Sequence, residues 1–186
     1  MTATEQLVRQ VRSRTADNRK AIALLHGGNL PGQVIGVLRQ EVDSLVRVIY
    51  LLSIHDRIRR DDLIHAAVEG RTWTADGSRR RITDRDMVDL AQQLHGWTES
   101  VYSFGCAFIH LSKMHDHAHR DPFLELAEED RSAILSHMRQ YHGGPLARSP
   151  SFQDLVPYLP HVFEKIADNL ECYVQKLEND EDFEGD

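Results

Sequence analysis

Met87, Leu90, Leu94, Trp97, Val101, Phe104, Phe108 and Leu111 succeed one another at spacings of three and four residues without a break. Such a row lies along one side of an α-helix and packs against neighbouring helices. From 101 to 111 the other faces are also apolar or small, with Tyr102, Ser103, Gly105, Cys106, Ala107 and Ile109. A helix apolar all round is buried all round. The pattern predicts one long central helix over about 84–115, with Thr83 as N-cap and acids in the first turn. Pro122 stops any continuation.

The flanking segments read the same way. A first helix spans about 4–26 and ends at Gly27-Gly28, since glycine suits the left-handed residue after a helix. Pro31-Gly32 opens a second, over 33–55, with Val34, Leu38, Leu45, Ile49 and Leu52 as its stripe. Glu41 falls inside that stripe. Arg39, Asp43 and Arg47 stand four apart on another face and can pair along it. Shorter helices are expected over 61–69, 128–142 and 152–158, and a last one from Pro160 carries Phe163, Ile166, Leu170, Val174 and Leu177 on one face. Asp76-Gly77 lies between two short β-prone runs and reads as a hairpin or ordered loop. The fold class is therefore all-α: an antiparallel bundle of five to seven helices with a small hairpin or loop insertion. Residues 1–177 form one domain, and 178–186 (ENDEDFEGD) form an acidic tail expected to be disordered.

Several function classes drop out. No apolar run approaches the roughly 18 residues of a membrane span, and the charged N-terminus is unlike a secretory signal. Cys106 and Cys172 sit in apolar helical patterns, where cysteine acts as a small buried hydrophobe. A reducing, cytoplasmic setting is the expectation. A net charge of −7 opposes a protein that coats nucleic acid through bulk charge. There is no glycine-rich nucleotide loop, His-Glu-x-x-His, Cys-x-x-Cys or Gly-x-Ser-x-Gly.

Three groups of residues are candidates for chemistry. The stretch 57–85 carries Arg57, Arg59, Arg60, Arg71, Arg79, Arg80, Arg81 and Arg85, with Trp73 among them, and is suited to phosphate or nucleic acid, with Arg57, Arg59, Arg60, Arg79, Arg80 and Arg81 as its contact candidates. His115 and His119 lie one helical turn apart, the spacing at which two imidazoles share a metal. Asp116 and the distant Glu41 are the carboxylates to complete that site. No cofactor is otherwise called for. His110 is expected on the central helix opposite the apolar row, either as a hydrogen-bonded core residue or as part of a site. With Cys106 it makes an i, i+4 pair that lacks a third orienting group.

The phrases Val34-Ile35-Gly36-Val37-Leu38-Arg39-Gln40-Glu41 and Phe108-Ile109-His110-Leu111-Ser112 resemble the HEPN-like superfamily of prokaryotic helical bundles. That resemblance implies an all-helical protein, often dimeric, of toxin–antitoxin or phage-defence systems. Its active members use Arg, four to six intervening residues, and then His as an RNA-cleaving pair. No Arg precedes His110 at that spacing, which fits a non-catalytic member. Arg131 and His137 make the cleanest such pair, on one predicted helix, although their side chains then point about 120° apart. Three functions follow: an RNA-directed or non-catalytic HEPN-like protein, a metal-binding bundle, or an interaction subunit. As partners we expect a second copy or another protein, with RNA as a candidate ligand and no membrane. A dimer would form along the central and last helices.

Overall fold

The computed structural model describes residues 1–110 and 112–181. Helices α1 (Ala3–Gly27), α2 (Pro31–Leu52), α3 (Arg57–Val68), α4 (Asp84–His95), α5 (Thr98–Ile109), α6 (Glu128–His142), α7 (Phe152–Leu155) and α8 (Leu159–Glu178) follow in order. Single 3-10 turns occur at Lys113–Asp116 and Val156–Tyr158. Among the described residues, the one β-type pairing is an isolated antiparallel bridge from Thr74 to Arg81. It closes around the Asp76-Gly77 turn, where Gly77 takes φ +61°. The expected all-α bundle with a small hairpin-like insertion is what the chain forms.

The centre of the bundle is α2, not the helix expected over 84–115. Fifteen of its residues are buried, and it packs against α1, α4, α5 and α8. Val34, Val42, Leu45 and Ile49 are fully enclosed, and burying each such side chain contributes about 1.5–3 kcal/mol. Pro31 at its first turn sets φ for the helix where no N–H is needed.

The predicted long helix is broken twice. Gly96 adopts the left-handed conformation (φ +62°) and ends α4. The Gln92 side chain then caps the break by donating to the Gly96 carbonyl at 2.7 Å. α5 starts at Thr98 and stops at Ile109, with His110 extended. The apolar row survives the bend, because Met87, Trp97 and Phe108 are all buried. Leu94, next to the break, is instead exposed, and Leu111 lies outside the described residues. The outer side of α5 stays open at Ser103. Cys106 is half-buried and Cys172 exposed, so neither is the core residue expected.

α1 has a thin apolar face, with Val8 and Ile22 its buried hydrophobes. Polar ties fasten it instead. Arg12 donates to Glu171 and Glu178 on α8 at 2.8 Å each, and Arg19 pairs with Glu164 at 2.8 Å. Glu41, fully buried on α2, accepts from Thr15 Oγ1 at 2.5 Å and from Asn18 Nδ2 at 2.7 Å.

The apolar seam of α8 is spent within the chain. Phe163 and Leu170 are buried in the core that α8 shares with α2. They are therefore closed to the dimer seam expected of the last helix.

Candidate functional site

Among the sequence-chosen arginines, Arg60 turns inward and, with Arg57, holds the fold. Arg60 is 2% exposed and donates to the carbonyls of Ile54 (3.0 Å) and Leu52 (3.2 Å), closing the C-terminal end of α2. A guanidinium at this end also meets the negative pole of the helix. Arg60 Nη1 donates to the Glu181 carbonyl at 3.2 Å, and Arg57 pairs with Asp180 at 3.2 Å. The start of the acidic tail is thus held against α3. Residues 182–186 lie outside the described residues.

The remaining basic residues do not form one patch. Arg59 donates to the Thr74 carbonyl and Arg80 pairs with Asp86 at 3.0 Å. Arg79 is exposed at the tip of the turn. Arg81, in contrast, lines a cleft of about 630 Å³ between α1, α2 and the turn. There it meets Arg71 from the segment after α3, Arg14 from α1 and Arg47 from α2.

Trp73 lines this cleft and packs against Tyr50. Their rings stack with centroids 5.9 Å apart. The Arg47 guanidinium carbon lies 5.6 Å from the Trp73 centroid, a cation–π placement. Arg47 also bridges Asp43 (3.1 Å) and Asp84 (3.0 Å). Asp84 in turn pairs with the buried Arg39 at 3.2 Å. Arg14 reaches Asp43 at 3.4 Å and the Ser44 hydroxyl at 3.3 Å.

Four arginines face two aspartates in the lining, which leaves the cleft electropositive in a chain that is acidic overall. Arg71 pairs with Glu69 at 2.5 Å, with both side chains more than half exposed. An exposed pair of this kind is worth little and exchanges readily for a stronger anion. Arg81 donates to the Thr72 hydroxyl at 3.1 Å and has no carboxylate partner among the described residues. Guanidinium forks match phosphate oxygens two at a time.

The catalytic candidates are not assembled. Arg131 is tied to Glu128 and to the Leu124 carbonyl, and it lines a surface cavity on one side of α6. His137 lines a different, apolar cavity toward α5 and α8. The six-residue spacing on one continuous helix is the reason: it turns the two side chains away from each other. His110 is exposed and caps the end of α5, outside the core position expected for it.

The metal candidates do not converge on one point either, although His119 and Asp116 meet. His115 Nε2 lies 3.0 Å from the Phe108 carbonyl, and His119 Nδ1 pairs with Asp116 at 2.9 Å. The helix on which His115 and His119 were to share a face is absent, replaced by one 3-10 turn. Glu41 faces α1. No group of three or more His, Cys, Asp or Glu among the described residues is placed to hold a metal ion.

Sequence reasoning reached Arg71 and Arg81, both in the basic 57–85 segment, but missed Arg14 and Arg47 as their partners in one site. They come from segments far apart in the chain, and no local spacing marks them. Among the described residues, no helix is long and apolar enough to cross a membrane. Comparison with protein families, with curated proteins and with solved structures finds no match. The HEPN-like reading therefore rests on the residues alone.

Proposed function

We propose that this chain is a non-catalytic, HEPN-like helical bundle that binds RNA by its phosphate backbone in the Arg14/Arg47/Arg71/Arg81 cleft. The observation that carries it is the convergence of four arginines from separate segments on one cleft with two carboxylates. Phosphate contacts supply affinity without reading bases, and Trp73 is too enclosed to offer a stacking face, at 4% exposure. Sequence-independent binding is the consequence. The separation of Arg131 from His137 supports binding without cleavage.

The test is fluorescence anisotropy of the full chain with a short labelled single-stranded RNA across a salt series. Four phosphate contacts give a slope of about −3 in log K against log salt, and the Arg71→Ala/Arg81→Ala variant falls to about −1.5. The RNA is recovered intact. No binding at low salt, or a slope unchanged by the double substitution, overturns the proposal.

A further inference from the structure

The floor of the arginine cleft changes character along its length. Arg14 reaches Asp43 and Ser44 across the contact of α1 with α2. The Arg14 side chain is 41% exposed and that of Arg47 40%, so both can meet a ligand. A short turn joins α1 to α2 and the two run antiparallel, so the meeting of Arg14 with Ser44 sets their register. Seven residues back along α1 stands Leu7, and seven on along α2 stands Leu51. Seven residues of helix span about 10 Å. Both leucines line the cleft, with Val11 and Val48 a turn nearer the arginines.

Val48 and Leu51 are buried and back this apolar end. Leu7 and Val11, with Ala67 from the last turn of α3, are only half-buried, so each still shows apolar surface to the cleft. Gln10 is exposed on the same side of α1. Its amide both donates and accepts, and so suits the edge of any base. Arg71 and Arg81, both exposed, complete the lining. Accessible guanidinium groups around an accessible apolar floor suit a ligand with anionic groups beside a flat, weakly polar body. A nucleotide within a strand has that form.

We infer, on the RNA reading above, that the apolar end of the cleft takes in one unstacked base of a single strand while the arginines hold the phosphates beside it. Aliphatic walls cover the face of a base without reading its identity. A duplex keeps its bases paired and stacked, and so leaves the apolar end empty.

The test is fluorescence anisotropy of the full chain with a short labelled single-stranded RNA and with an abasic oligomer of the same length and backbone. The abasic oligomer is expected to bind about three- to tenfold more weakly at equal salt, with the same salt slope. Val11→Phe fills the apolar end and erases that difference, leaving abasic binding unchanged. Should Val11→Phe fail to fold, a duplex of the same sequence carries the test, binding no more tightly than the abasic strand. Equal affinity for the base-bearing and abasic oligomers overturns the inference while the RNA reading stands. No binding of either at low salt overturns both. Uridine 5′-monophosphate is expected to bind far more weakly than the oligomer, and equal affinity would assign the cleft to free nucleotides and overturn the inference.

Discussion

A Cβ placed on Gly105 would stand 2.7 Å from the Cβ of Arg39. Glycine at this point lets α5 approach α2 closely enough for the buried Arg39 to lie under Tyr102, its guanidinium carbon 3.9 Å from the ring centroid. The same guanidinium reaches Cys106 Sγ from Nε at 3.4 Å and Asp84 at 3.2 Å. Gly105→Ala must therefore push the two helices apart, at a cost of about 1–3 kcal/mol. Gly36, on α2, has nothing within 4 Å of its added Cβ. Gly36→Ala should stabilise by about 0.5–1 kcal/mol through backbone entropy. Thermal unfolding of both variants checks the contrast, and equal shifts of the same sign would contradict it.

Glu41 gives a second prediction. Its carboxylate accepts from Thr15 and Asn18, and Asn18 is itself buried. Glu41→Ala strands both donors and opens a void, costing about 2–4 kcal/mol in urea unfolding. Glu41→Gln keeps the volume and one acceptor oxygen, and costs less. A loss below about 0.5 kcal/mol in the alanine variant would show that α1 docks without this bond.

Arg60 separates structure from binding. It serves the carbonyls of Leu52 and Ile54 and the start of the tail, from a position 2% exposed. Arg60→Met leaves those buried carbonyls unmet and lowers stability by about 2–4 kcal/mol, while RNA affinity per folded molecule stays the same. A stable variant with weakened RNA binding would return Arg60 to the nucleic-acid interface.

Much of the helix pattern is legible along the chain because the signals are local. The Gly27-Gly28 stop, the Pro31 start, the Thr83 cap and the Asp76-Gly77 turn act within a few residues. The break at Gly96 escapes that reading because the apolar spacing runs straight through it, so periodicity alone cannot tell a bend from a continuous helix. The centrality of α2 does not show in its stripe alone, because polar Glu41 falls inside the stripe and Arg39 and Ser44 lie outside it, yet all three are buried with partners. The cleft was least legible. Arg14 and Arg47 read as ordinary solvated helix charges until α1 and α2 pack side by side.

The histidines predict a response to acid. His95, His137 and His142 are all held below the ordinary value of 6.5, with burial the main cause and Lys165 adding to it at His95, and His161 and Lys165 at His142. As pH falls through 6.5 the unfolded chain takes up protons before the folded one, so stability falls from there toward the lower folded values. Asp86 and Asp154 act later. Bonds from Thr83 and Ser151 hold their carboxyls below 3.8, so their contribution is present above 3.8 and lost as pH drops further. The urea midpoint should fall between neutral pH and about pH 5. A midpoint that holds or rises across that range contradicts the burial assigned to these rings.

The central claim is that the cleft, not the basic stretch of sequence, is where RNA binds. Arg14 lies in the cleft but far from that stretch; Arg79 lies in the stretch but outside the cleft. Binding of one single-stranded RNA to Arg14→Ala and to Arg79→Ala, measured side by side at one salt concentration, tests the claim most directly. The cleft predicts that Arg14→Ala weakens binding about three- to tenfold and Arg79→Ala leaves it unchanged. Loss of affinity in Arg79→Ala with none in Arg14→Ala would contradict the account.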